Sequence, residues 1–346
     1  MRKIAGLFLI CLLFGCSERV VENKETPVAI NDDEEYDEIC RRIAKLNMTV
    51  VVTGGGIRPG LAVKMKSIAD KYGVNIPEYT LINKDIFRGA DTDDARLNNF
   101  IDAVNSDKEI VWHMRGGYGT SRLIASLNRL PPPSSSKTLI GFCDATSMNI
   151  FVSQKWPNWK VIHAPLLIYL EKYSFSKDKF ETLLNILENK IDSYEISGVV
   201  PFNYKAQTQE RVVGRLTGGN LSIIENSLKT YWEIQTDGKI LFLEDIYMEP
   251  QHIYRMLYHL KEAGKLDNVK ALVLGHFHKV KEEGNLVPYL KGFCANLPIP
   301  VYITDQFGHG EHNMPLIYNA TAELRDSKMI INTSKRFGKT NKAKTK

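Results

Sequence analysis

Short apolar runs alternate with helix-period segments along most of this chain, and many of these runs end on glycine or another small residue. Met48 to Thr53 reads Met-Thr-Val-Val-Val-Thr, meets Gly54-Gly55-Gly56, and gives way to a helical stretch from about Gly60 to Tyr72. Ile110-Val111-Trp112 leads to Arg115-Gly116-Gly117-Tyr118-Gly119, then to Leu123, Ile124 and Leu127 at helical spacing. Leu139-Ile140-Gly141 opens a helix over about 144–154, ended by Trp156-Pro157. Val161 to Pro165 is a further strand end, and Pro77 to Leu81 reads as a weaker strand. Continuous apolar runs belong to strands covered on both faces, and their alternation with helices predicts a mostly parallel α/β sheet. Ligands in such sheets sit at the carboxyl ends of the strands. The glycine loops after Thr53 and Met114 and the turn at 141–145 all fall there.

The pattern resumes after a polar interval. Val212–Gly214, Ile240–Leu243, Val269–Gly275 and Ile299–Thr304 read as strands, and Met329–Asn332 closes the fold. Gly218-Gly219-Asn220-Leu221 precedes a helix, and Gln251–Ala263 is amphipathic. The expected organisation is an N-terminal flavodoxin- or Rossmann-like domain over 46–172, a connection over 173–210 and a C-terminal α/β domain over 211–333. Ahead of these, Arg2-Lys3 and the apolar run Ile4–Phe14 fit an export signal, too short to span a bilayer permanently. It ends Leu13-Phe14-Gly15-Cys16, which resembles a bacterial lipobox. The expectation is a leader over 1–16, a lipid anchor at Cys16 facing the periplasm or cell surface, and an acidic, flexible tether over 17–45. Residues 334–346 read as a basic, disordered tail.

The net charge of +5 is carried by the ends: setting aside two basic residues in the leader and six from Lys335 onward turns it into −3. A body of that charge is not a general nucleic-acid binder. Outside the leader and anchor, Cys40, Cys143 and Cys294 have no metal-like spacing, and at most one disulfide joins them. His276, His278, His309 and His312 lack acidic partners at useful spacing, so no metal is expected. Gly54–Gly56 matches neither a phosphate-binding loop nor a dinucleotide fingerprint, and no cofactor is expected.

Gly141-Phe142-Cys143-Asp144-Ala145 has the form of a nucleophile elbow, G-x-S-x-G with cysteine at the corner. A cysteine after an apolar strand is commonly just a small buried hydrophobe. At this corner it would stand clear at a helix N-terminus, where the dipole favours a thiolate.

The ordered set Gly89-Ala90-Asp91-Thr92-Asp93, Arg115–Gly119, Gly141–Thr146, His163-Ala164-Pro165, Gly218–Leu221, Leu243-Glu244-Asp245-Ile246 and Phe307-Gly308-His309 resembles the LD-carboxypeptidase family of serine peptidases. That family also contains the microcin C immunity-type hydrolases. The resemblance covers roughly residues 46–330 and implies two α/β domains with a Ser-Glu-His triad at their interface. By position these become Cys143, Glu244 and His309. It also implies a homodimer and a murein tetrapeptide substrate that loses its terminal D-residue. The chain departs from the family in carrying Cys143 for serine, Ala164 where glycine is usual, and Asn319 near a common glycine. Ser147 lies one helical turn past the corner and does not replace the nucleophile. Backbone N–H groups of Asp144 and of Gly117 or Gly116 are the expected oxyanion donors. Arg115 is a candidate for a substrate carboxylate, with a structural ion pair as the alternative, and Tyr118 is a candidate substrate contact. Two other readings stay open: a muropeptide-binding relative silenced by Cys143, and a hydrolase of peptidyl or aminoacyl nucleotides, which an aromatic residue in the site loops would favour.

Overall fold

A computed structural model describes residues 31–84, 89–171, 177–281 and 286–333. The expected leader, the lipid-anchor cysteine and the basic tail lie outside the described residues. The chain begins with α1 (Asn31–Ala44), β1 (Met48–Val51), α2 (Pro59–Tyr72), α3 (Asp93–Asn105), β2 (Ile110–His113), α4 (Ser121–Leu127), β3 (Thr138–Gly141), α5 (Thr146–Lys155) and β4 (Lys160–His163). Strands β1 to β4 pair in parallel and in chain order. Their order never reverses, so this sheet has no crevice at a switch point. The second wall of the site comes from the other domain.

That domain is formed by α6 (Lys177–Leu187), β5 (Ser193–Ser197), β6 (Val200–Pro201), α7 (Tyr204–Gln207), β7 (Val212–Asn220), α8 (Leu221–Glu225), β8 (Lys239–Ile246), α9 (Pro250–Glu262), β9 (Ala271–His278), α10 (Leu286–Cys294), β10 (Val301–Gly308), β11 (Leu316–Ile317), β12 (Thr321–Arg325) and β13 (Lys328–Asn332). Its sheet has the order β5-β13-β12-β7-β8-β9-β10-β6. The central four strands, β7 to β10, are parallel, and the middles of β8 and β9, Ile240–Leu243 and Ala271–Leu274, are apolar and fully buried. The outer strands pair antiparallel.

Several contacts join the domains. β11 leaves the second domain and adds to the first sheet, antiparallel to β4, with Leu316 opposite His163. The Thr146 hydroxyl at the start of α5 accepts from Asn220 N–H at the end of β7, 3.2 Å away.

Three expectations are corrected. The flexible tether over 17–45 does not extend to its predicted end: α1 is a helix whose Tyr36, Ile39, Cys40 and Ile43 are buried. Those positions recur at helical spacing, so the acidic residues between them form only the outer face. The predicted strand over 77–81 is a 3-10 turn at Glu78–Leu81, because Pro77 starts a turn closed by Thr80 N–H to its carbonyl. The connection over 173–210, in which a helix near Phe180–Leu187 is expected, carries more than that helix. β5 and β6 from it are the two edges of the second sheet, and α6 buries Phe180, Leu183, Leu184 and Ile186.

Candidate active site

Cys143 has φ 61, a left-handed conformation that a residue with a Cβ adopts only under constraint. The constraint comes from its neighbours. Leu139 to Phe142 are buried in strand and core, and a 3-10 turn over Cys143–Ala145 feeds directly into α5. The chain must reverse from strand to helix in one residue, and the side chain at the corner is left half-exposed. This is the elbow that the sequence predicts.

The glycine loop after β2 packs against that corner. A Cβ built on Gly116 would lie 2.7 Å from Cys143 Cβ and 2.9 Å from its sulfur, so only glycine fits. Gly116 carbonyl accepts from Gly55 N–H at 2.8 Å. In a planar trans peptide the following N–H points the opposite way. Gly117 N–H therefore faces away from Gly55, on an exposed residue. The N–H of Asp144 lies in the first turn of its helix, where intrahelical partners are lacking. The Asp144 side chain is buried and accepts from Thr120 N–H at 2.9 Å and Thr120 hydroxyl at 2.6 Å. It fastens the elbow to the far end of the glycine loop. Burial raises its pKa, and the Thr120 donors oppose that rise.

Glu244 and His309 come from strand irregularities in the second sheet. The pairing of β8 with β9 slips between Leu243 and Asp245, and that of β10 with β9 slips between Ile303 and Gly308. Such bulges re-aim side chains at sheet rims. Gly308 has φ +122, and a Cβ there would lie 2.7 Å from His276 carbonyl and 3.2 Å from Glu244 Cβ. The close passage brings His309 over the carboxylate: Nδ1 is 2.6 Å from Glu244 Oε2. Among the described residues, Glu244 Oε1 and His309 Nε2 are buried and have no other hydrogen-bond partner. Asp245, beside Glu244, is held by Asn220 at 3.0 Å and by Ser222 N–H and hydroxyl at 2.9 and 2.6 Å.

The imidazole ring lies over Phe142, with ring centroids 4.3 Å apart. Burial alone would lower its pKa. The Glu244 carboxylate and the Cys143 sulfur outweigh burial and raise it well above the ordinary value of 6.5. Cys143, His309 and Glu244 thus form one electrostatic unit assembled from both domains.

Arg115 is half-buried and donates through Nη1 to Gly56 carbonyl, bracing the first glycine loop, with no carboxylate partner on it among the described residues. Tyr118 is exposed, and the Arg122 guanidinium lies 5.3 Å from its ring centre. His163 is packed, as expected for a strand end, between Phe142 and Phe242. Burial and then the charge of His309 depress its pKa to about 3. His276 and His278 touch at 3.3 Å. All four tryptophans are buried, so none offers a ring to the site.

Two residues near the site carry no sequence signal. Tyr169 lies 6.4 Å from Phe142, centroid to centroid, and its pKa is raised by burial and then by the nearby Cys143 and Glu244 charges, with Arg115 opposing. Lys179 lies 5.4 Å from the Tyr169 ring centre. They come from a 3-10 turn and from α6, and only folding brings them to the elbow.

A thiol, an imidazole and a carboxylate brought together at a domain interface make a candidate hydrolase site. The chain belongs to the LD-carboxypeptidase family: its N-terminal-domain profile matches residues 29–164 and its C-terminal-domain profile residues 213–324. It is a hydrolase of the LD-carboxypeptidase type. A Rickettsia conorii protein bearing a carboxypeptidase name is 38% identical over 278 residues, covering 79% of this chain and 87% of that one. The murein tetrapeptide carboxypeptidase of Pseudomonas aeruginosa is 28% identical over 250 residues, covering 69% and 80%. The crystal structure of muramoyltetrapeptide carboxypeptidase from Oxalobacter formigenes superposes with a TM-score of 0.69 at 25% identity, covering 82% and 98%. The microcin C7 self-immunity protein bound to glutamyl sulfamoyl guanosine shares the fold, with a TM-score of 0.64 at 18% identity, covering 82% and 95%.

Proposed function

We propose that this protein is a carboxypeptidase that removes the C-terminal D-amino acid from murein tetrapeptides through a cysteine acyl-enzyme. The observation that carries the reading is the convergence of Cys143, His309 and Glu244 from two domains beside a glycine loop. Cys143 sulfur attacks the carbonyl carbon of the L–D bond. The N–H groups of Asp144 and Gly117 receive the developing oxyanion, each worth on the order of 3 kcal/mol of barrier. His309 gives its proton to the departing amine, and Glu244 holds the ring's tautomer and charge. Water then attacks the thioester with His309 as base, and the tripeptide leaves. Arg115, one residue before the nucleophile's glycine, is the candidate for the substrate's terminal carboxylate.

The leader-like first 16 residues support action outside the cytoplasm, where murein lies, with Cys16 as the lipid attachment. The substrate class is supported by the names of the curated relatives.

The test is incubation of the full chain, in detergent, with a disaccharide-tetrapeptide, followed by mass spectrometry. Cys143→Ala and Cys143→Ser run in parallel. Loss of D-alanine with wild type and not with the alanine variant is the expected result. Inert wild type beside an active serine variant would mean that the cysteine has silenced the site. No cleavage by any form overturns the peptidase reading.

A further inference from the structure

The chemical difference between this site and a serine one lies in the intermediate. An acyl group on Cys143 is a thioester. Thioesters lack much of the resonance stabilisation of oxygen esters. Amines distinguish strongly between the two, whereas water and hydroxide attack both at comparable rates. Replacing oxygen by sulfur at the elbow therefore tilts the second half of the reaction from water toward amines.

The geometry gives an amine a place to act. His309 Nε2, the nitrogen facing the nucleophile, is fully buried, and the His309 side chain is only 5% exposed. General-base help reaches only a molecule already seated against Cys143. On one side that seat is closed by Gly116 packed onto the sulfur, and on another by Phe142 under the imidazole. The group leaving during acylation and the group attacking during deacylation must use the same position. A D-amino acid returning to that position is held by the contacts that first bound it as the substrate's terminal residue. Such seating gives the amine a high effective concentration against water.

Building on the carboxypeptidase reading, we infer that this protein is also an exchange enzyme, which replaces the terminal D-residue of its peptide substrate by a free D-amino acid. The uncharged amine of the incoming D-amino acid attacks the thioester carbonyl carbon. A C–N bond forms and the C–S bond breaks. The electron pair of that bond leaves on sulfur, and the proton lost by nitrogen goes to His309. Peptide bond count is conserved, nothing is oxidised or reduced, and Cys143 and His309 return to the state from which acylation began.

The experiment gives the full chain a disaccharide-tetrapeptide together with increasing D-methionine, with L-methionine in a parallel series. Mass spectrometry separates tripeptide from tetrapeptide ending in methionine. Wild type should form the D-methionine product at the expense of tripeptide while total turnover holds, because both products drain one intermediate. L-Methionine should give none. Tripeptide plus D-methionine without tetrapeptide should also give none, which separates exchange from simple condensation. The ratio of exchange to hydrolysis should fall by about tenfold in Cys143→Ser, equivalent to about 1.4 kcal/mol between the competing barriers. Tripeptide release from wild type with no exchange product overturns the inference and leaves the carboxypeptidase intact. An unchanged ratio in an active serine variant also overturns it. If that variant is inactive, the wild-type partition decides alone. Absence of both products from every form overturns the carboxypeptidase reading beneath it.

Discussion

Glu244 Oε2 stands 2.6 Å from His309 Nδ1, with the glutamate fully buried and its second oxygen unpaired among the described residues. Among the described residues this buried carboxylate makes its one hydrogen bond to that imidazole. Glu244→Gln preserves shape, removes the charge and lets the amide dictate the wrong imidazole tautomer. Turnover of the tetrapeptide should fall by about 10⁴-fold with little change in KM. A loss of less than about tenfold would show that the pair is structural.

The raised His309 pKa makes a statement about pH. The folded value lies above the ordinary 6.5, so the charged ring's contribution to stability is complete below 6.5 and is lost as pH rises through the folded value. The stability gap between wild type and His309→Ala, read by denaturant titration, should therefore narrow toward alkaline pH. A gap that widens with pH would contradict the charged-ring assignment.

The three described cysteines should differ in reactivity. Burial pushes the Cys40 thiol up to about 11 and the Cys294 thiol up to about 12, whereas Cys143 is half-exposed beside an imidazole. Iodoacetamide should label Cys143 first, and labelling should slow in His309→Ala. Peptide mapping by mass spectrometry checks both. Equal labelling of all three would remove Cys143 from its special place.

Gly116→Ala tests the fit between loop and nucleophile. Its methyl would have to displace Cys143 or the loop by several tenths of an ångström to an ångström. A misplacement of about one ångström costs on the order of a hundredfold in rate. The expected signature is a large loss of turnover with a small change in melting temperature, because the displaced group is at a partly exposed corner.

Two buried groups should shape acid stability and loop order. Among the described residues, His163 has no hydrogen-bond partner on either ring nitrogen in its aromatic pocket, and its pKa falls from 6.5 to about 3. The unfolded chain takes up this proton first, so stability present above 6.5 is lost as pH falls toward 3. His163→Leu should lose less stability over that interval, as read by thermal melts at stepped pH. Asp144→Ala leaves the Thr120 N–H without its acceptor, while the Thr120 hydroxyl keeps Thr53, and should cost about 1–3 kcal/mol. Denaturant titration of the variant beside wild type measures the loss.

Periodicity made the strands and helices that carry the elbow readable. A run such as Leu139-Ile140-Gly141 followed by small residues has few alternatives. Boundaries set by turns were less legible. Proline at 77 turned an apparent strand into a 3-10 turn, and α1 hid its apolar face among acids.

By itself the sequence determined the alternation of strand and helix, the sharp corner at Cys143 and the family motifs in their order. These depend on residues close in the chain, whose sterics and spacing act before any long-range contact. Only the tertiary structure decided that β11 crosses to the first sheet, and that strand bulges aim Glu244 and His309 at the corner. It also brought Tyr169 to the site, with Lys179 over its ring. Such placements follow from the register of strands far apart in sequence and from which faces remain to be buried. Local propensity carries no record of either.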